Sequence, residues 1–232
     1  MALVKYGGGI IQMSGSLAGN TFARNRYGNY VRARTKPTNP KSARQVKIRG
    51  LMAELTTRWA QTLTAVQRTA WALYASNVSM LNRLGEVVNL SGYNHYIRSN
   101  MWRGDLGQTY VDAGPTTFEL PTQDGTIAIT VSEATQEVSI AFNDGLDWCS
   151  EDNAGLMIIE GAPQNAQRNF FDGPWLGRSA KMGNSVAPIA SPQVYTALHV
   201  VTEGQKLWVQ FRIIRADGRL SQPFRASISV SA

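Results

Sequence analysis

Lys206-Leu-Trp-Val-Gln-Phe-Arg-Ile-Ile-Arg215 runs directly into Ala216-Asp-Gly-Arg219, and Phe224-Arg-Ala-Ser-Ile-Ser-Val230 follows a few residues later. Apolar side chains that recur at every second position belong on one face of a strand. The Asp-Gly pair between the two runs suits a tight turn, because both residues tolerate positive φ. The stretch therefore predicts a hairpin. Working back along the chain, the same period of two recurs in Thr126 to Val131, Glu137 to Phe142, Gly155 to Glu160 and Val194 to Val201. Short strands at this spacing predict an antiparallel β-sandwich of the immunoglobulin or fibronectin type over 126–232. Residues 162–192 are rich in Gly, Asn and Pro, which predicts a long loop or a pair of irregular edge strands.

Upstream of the sandwich the period changes. Residues 104–125 hold several Gly, Pro and Thr, and read as an interdomain connection with one short strand at Phe118-Glu-Leu120. Before that, residues 41–103 carry helical spacing. Ser42 is placed to cap a first helix whose stripe is Ile48, Leu51, Met52, Leu55, Trp59 and Leu63. Thr64-Ala-Val-Gln67 has the form of a capping box. It opens a second helix with the stripe Val66, Ala70, Trp71, Tyr74 and Val78, expected to pack antiparallel on the first. Leu84 to Leu90 has β character, and Ser91 caps a third helix bearing Tyr93, Tyr96, Ile97 and Met101. The chain is thus expected to be α+β: an N-terminal β-hairpin arm over 1–40, a small three-helix domain, a linker, then the sandwich.

The arm stands out by charge. From Met1 to Ala53 there are ten basic residues and no acidic one before Glu54. Thr21-Phe-Ala-Arg24 and Tyr30-Val-Arg-Ala-Arg34 read as strands, with a turn at Asn25-Arg-Tyr-Gly-Asn29. Phe22 and Arg24 share a face, as do Arg32 and Arg34, so one side of the ribbon is expected to be strongly cationic. Thr35-Lys-Pro-Thr-Asn-Pro40 follows as a stiff linker. The partner-binding residues predicted from this pattern are Arg24, Arg26, Arg32, Arg34 and Lys36, interleaved with Phe22, Tyr27 and Tyr30. Met1 to Asp112 carries fifteen basic and four acidic residues, whereas Ala113 to Ala232 carries eight and twelve. Opposed charge of this kind favours contact between copies or with an acidic partner.

Chemistry-bearing motifs are sparse. His95 and His199 have no companion at metal-ligand spacing, and Cys149 is a lone, half-buried thiol without an evident base, so no disulfide forms within the chain. Gly7-Gly-Gly9 lacks the strand and helix of a phosphate loop. Asp144, Asp147, Glu151 and Asp152 fall in one turn-like segment and read as loop acids. No enzyme activity, no cofactor and no metal are expected. The opening residues lack the basic and apolar regions of a signal peptide, and no apolar run is long enough to cross a bilayer, so neither export nor membrane insertion is expected.

The run from Ser14 to Pro40, then Leu63 to Ala75 and Ser91 to Tyr96, resembles a recurring module in proteins of tailed bacteriophages and prophages. The resemblance covers residues 1–103. It implies a virion structural protein assembled in the host cytoplasm, such as a capsid decoration or minor head protein that docks through its basic arm. The implied partners are other virion proteins, a major capsid protein or a portal or connector, together with further copies of this chain. Two alternatives remain open. One is an architectural DNA-binding protein using the arm with Arg44, Lys47 and Arg58. The other is a head-tail or tail-associated protein whose sandwich binds a host-surface ligand through Phe170, Phe171 and Trp175.

Overall fold

The computed structural model describes residues 2–26, 28–36, 38–82 and 84–232. The first strands, β1 (Ala2–Val4), β2 (Gly15–Leu17), β3 (Asn20–Asn25) and β4 (Gly28–Ala33), form one antiparallel sheet in the order β1-β4-β3-β2. Between β2 and β3 the reversal is confined to Ala18 and Gly19, with Ala18 at φ 50°. None of the described residues in this arm is buried.

Helix α1 (Ala43–Thr57) starts at Ser42, whose hydroxyl accepts from the Gln45 amide, and it ends in a π-helical turn over Arg58–Thr62. Helix α2 (Ala65–Asn77) opens with the Thr64/Gln67 capping box in both directions. Between α2 and the next helix, β5 (Ser79–Leu81) and β6 (Val87–Asn89) make a small hairpin. Helix α3 (Gly92–Asp105) is capped by Ser91. The expected pairing of α1 with α2 is corrected, because both pack instead on α3, which lies centrally. Leu55, Leu63, Trp71, Tyr74, Val78 and Tyr96 are the buried residues of this core. Val66, expected in the α2 stripe, is 79% exposed, since it sits in the first turn before the helix reaches α3.

Beyond α3 the chain does not leave the helices at once. Asn100 takes the Val111 amide at 2.7 Å and gives to its carbonyl at 3.0 Å. Asp112 receives Arg58 at 2.8 and 2.6 Å, and its carbonyl accepts the Trp71 indole N–H at 3.0 Å. Gly114 lies so close to α2 that a Cβ there would sit 2.6 Å from backbone atoms of Ala70 and Trp71. The expected strand at Phe118 to Leu120 is absent; these residues are irregular.

The sandwich strands are β7 (Ala128–Ser132), β8 (Glu137–Ala141), β9 (Gly155–Gly161), β10 (Trp175–Met182), β11 (Gln193–Thr196), β12 (Lys206–Ile214) and β13 (Phe224–Ser229). They form two antiparallel sheets, β10-β9-β12-β13 and β11-β8-β7. Their inner faces share one core that includes Val138, Ile140, Trp148, Leu156, Ile158, Leu207, Val209 and Phe211. The alternation that predicted these strands is thus the alternation of the core. One expectation is narrowed and another is corrected. Strand β10 arises within the segment expected to be a long loop or a pair of irregular edge strands, and it is one edge strand; a bulge between Trp175 and Gly177 lets it pair with β9 despite its flanking Gly and Pro. The strand expected over Val194 to Val201 ends at Thr196. Past that point the amides of Leu198 and His199 turn onto the buried Glu160 carboxylate at 3.2 and 3.0 Å, and that of Val201 onto Gln136, instead of continuing the ladder.

Helix α3 is fastened to the sandwich along its length. Arg98 donates to the carbonyls of Leu220 and Ser221, both at 2.7 Å, and Ser99 donates to that of Gly218. Arg103, 1% exposed, donates to the carbonyls of Asn153 at 3.1 Å and Arg215 at 2.7 Å. Trp102 and Leu106 pack on Met157, Ile214 and Leu220.

Candidate functional site

The arm sheet has two faces, and the register decides what lies on each. Asn25 pairs directly with Gly28, leaving two positions between the strands. Phe22 then faces Val31, Arg24 faces Asn29, and Thr21 faces Arg32. Residues directly opposite in an antiparallel pair share a face. One face therefore carries Phe22, Arg24, Val31 and Ala33, extended by Ala2 and Val4 of β1 and Leu17 of β2. The other carries Thr21, Ala23, Tyr30 and Arg32, with Leu3.

This corrects the expectation of a single cationic side. A turn spanning Asn25 to Asn29 would set Arg24 opposite Tyr30 and leave the arginines together. The shorter connection shifts the register by one, and a shift of one moves every β4 side chain to the opposite face. The outcome is a face on which Phe22, Val31, Ala33 and Leu17 share space with Arg24, Asn20 and Asn29, backed by a face that mixes Tyr30 with Arg32.

The predicted residues separate accordingly. Phe22 and Arg24 lie on the apolar face, and Arg24 donates to Gln12 at 3.2 Å. Tyr30 and Arg32 lie on the reverse. Arg26 shares a shallow cavity with Ala72, Ser76, Asn89 and Leu90, so it leans toward the helices. Arg34 follows β4, its amide bonded to the Gly19 carbonyl at 2.8 Å, and Lys36 lies beyond. Arg32, Arg34 and Lys36 pair with no carboxylate among the described residues. Tyr27 and Pro37 lie outside the described residues.

An ion pair and a shared cavity tie the arm to the rest of the chain. Lys5 pairs with Glu86 near the tip of the β5–β6 hairpin, where Leu3, Tyr6 and Ile11 share a cavity with Leu84. Beyond the arm, Arg44 and Lys47, in the first turns of α1, reach Asp105 at the end of α3. Arg44 binds both carboxylate oxygens at 2.5 Å, Lys47 one at 3.2 Å, and Arg178 of β10 the other at 2.9 Å. Burial alone would raise the Asp105 carboxyl, but the hydrogen bonds from Arg44 and Lys47 outweigh it and hold it at about 2.

Of the four loop acids, two converge on one arginine in the sandwich loops and Asp152 takes a separate partner. Asp147 and Glu151 bind Arg215 at 2.9 and 2.5 Å, and Asp152 accepts from the Ser185 amide at 2.8 Å. Cys149 is buried, and burial pushes its thiol up to about 11. Phe171 is buried while Phe170 is 70% exposed, so the aromatic trio of that loop does not form one surface.

A second group of basic residues escaped the sequence reading, around a buried middle formed by Ile159, Gln210 and Met157. On the outer face of the larger sheet, Arg178, Ile159, Gln210 and Arg225 form a row across all four strands, and Arg212 lies in the next row beside Met157. The signal was present in Lys206, Trp208, Gln210 and Arg212 at period two. The negative net charge of the C-terminal half concealed it.

No family model matches this chain, and no curated protein does. Among solved structures, it is similar to a family 76 glycoside hydrolase from a bovine Bacteroides thetaiotaomicron strain, at 14% identity and a TM-score of 0.31, over 49% of this chain and 21% of the hydrolase. It is also similar to a Fn3-like protein from Clostridium thermocellum, at 10% identity and a TM-score of 0.30, over 49% of this chain and 97% of the other. The first finding corrects the expectation that the chain is not an enzyme: a glycoside hydrolase stands among its structural neighbours, so that exclusion is withdrawn. A likeness this distant also assigns no activity and no residue role. No helix among the described residues is long and apolar enough to cross a membrane.

Proposed function

We propose that this chain is a structural protein of a tailed-phage particle, a decoration or minor head protein that docks on an acidic neighbouring protein through its N-terminal arm. The observation that carries this reading is a four-stranded sheet with no layer on its apolar face and no buried residue among those described. Sheets of this kind gain little from their own folding and need a second layer to be stable. Phe22, Val31 and Leu17 supply the apolar centre of a docking surface and Arg24 the charge on that same face, while Arg32 on the reverse and Arg34 beyond it add to the field that steers the arm to an acidic partner. The likeness of residues 1–103 to phage modules supports a virion setting.

In this reading residues 1–40 are the arm, 41–103 the helical part that anchors it, and 126–232 a fibronectin-like sandwich that projects or meets neighbouring copies. The test is incorporation of a chain lacking residues 1–36 into particles, beside the full chain. The expected result is loss of the truncated chain from particles while it stays folded. Normal occupancy without the arm would overturn the reading.

A further inference from the structure

We infer that Arg178 and Arg212, backed by Arg44 and Lys47, form a binding site for a phosphate group on the outer face of the larger sheet. The arm plays no part in this site, which stands whether or not the arm docks.

The charge count comes first. Arg44, Lys47 and Arg178 converge on one carboxylate, Asp105, whose side chain is 2% exposed. Both of its oxygens are fully engaged by those three cations. Arg212, one row along the same face, has no hydrogen bond from its guanidinium among the described residues, and its buried Nε meets no partner. The Nε of Arg178 is likewise buried and unpartnered. Four cations thus share a single negative charge.

Such an arrangement is costly unless an anion completes it. A partly buried guanidinium without a counter-charge carries its desolvation penalty uncompensated. Burial disfavours the charged form of Arg212, and the neighbouring Arg178 disfavours it further. Arg178 is itself disfavoured by burial and by Arg44. Helix α3 places Asp105 here, where Arg178 takes it, and the loop before β10 places Asp172, where Arg225 takes it; Trp102 and Phe171 line the rest. The Arg178 guanidinium lies 4.4 Å from the centre of the Trp102 ring, which holds the planar group in place. Phe171 packs over Gly161, where a Cβ would come within 2.3 Å of its ring, and stacks on Trp208. The face is aromatic-walled, and of its arginines Arg178 and Arg225 hold carboxylates whereas Arg212 pairs with none among the described residues.

The ligand class follows from charge and shape. A single carboxylate would offset one of three excess positive charges, whereas a phosphate group carries up to two and presents several oxygens to the fork of an arginine. Arg225 on the same face is already taken by Asp172 at 2.7 Å, so it serves as the internal control. A free anion and a nucleic-acid backbone both present the phosphate group.

Calorimetric titration of the full chain with inorganic phosphate, at constant ionic strength set by chloride, tests the site. Saturable binding is expected in the low-millimolar range or tighter. Arg212→Gln should weaken it at least about tenfold, while Arg225→Gln leaves it unchanged and both variants keep the parent's circular dichroism. A parallel titration with a short single-stranded oligonucleotide separates the sources. Tighter binding than phosphate, lost in Arg212→Gln, assigns a backbone, and binding of phosphate alone assigns the free anion. No saturable binding of either probe, or binding that Arg212→Gln leaves intact, would overturn the inference.

Discussion

Phe22 stands directly opposite Val31 across the β3–β4 ladder, and this one pairing places Arg24 and Arg32 on opposite faces of the arm. The apolar face it creates touches neither folded core of the chain. Replacing both residues, Phe22→Ser with Val31→Ser, should therefore change the unfolding free energy of the body by no more than about 0.5 kcal/mol. Docking on a particle should fall by at least about tenfold, because the apolar centre of an interface carries most of its energy. Denaturant melts of the variant beside a particle-binding assay check both outcomes.

Arg103 holds α3 to two sandwich loops through backbone carbonyls alone. Arg103→Met removes the donors and leaves buried acceptors unpaired, at a cost of about 3 kcal/mol. Urea unfolding followed by tryptophan fluorescence measures it. A loss under about 1 kcal/mol would mean that α3 is held mainly by Trp102 and Leu106.

Gly114 admits no side chain beside α2. Gly114→Ala must push the connecting segment off Ala70 and Trp71 and lengthen the Trp71 to Asp112 hydrogen bond. The expected destabilisation is about 2 kcal/mol, read as a lower melting temperature.

His95 is 2% exposed, packs edge-on against Tyr74, and has Arg98 nearby. Burial, then Arg98, pushes its imidazole from 6.5 down to about 4. Between those values the unfolded chain takes up a proton that the folded chain refuses, so stability is full above about pH 6.5 and falls as pH drops toward 4. The loss approaches about 3 kcal/mol at the lower end. Glu160, whose carboxyl burial raises, acts in the opposite sense near the ordinary glutamate range. The readout is therefore the difference between the parent and His95→Leu, whose melts should converge as pH falls from 7 to 4. Asp105 contributes separately and lower, its stabilisation being lost from 3.8 toward about 2.

The parts of this fold that were legible in the sequence are those set by local chemistry. Thr64 and Gln67 cap α2 in the structure as their spacing implies, and the alternation in Lys206 to Ile214 is the alternation of the sandwich core. What was not legible depends on distant partners. β10 is a strand because β9 pairs with it across a bulge. Residues 197–201 leave their strand because Gln136 and Glu160 capture their amides. α2 seeks α3, which no stripe on α2 announces. In the arm, both strands were visible, but the register rests on one residue of turn length. The basic strip around Arg212 needs four strands side by side before its charges meet.

Amide hydrogen exchange across residues 15–33, in the isolated chain and in assembled particles, reports most directly on whether the arm is an adhesive surface. With no layer over its apolar face, the sheet should exchange quickly in isolation and slow by at least about a hundredfold once docked. Equal exchange in both states would contradict docking through the arm.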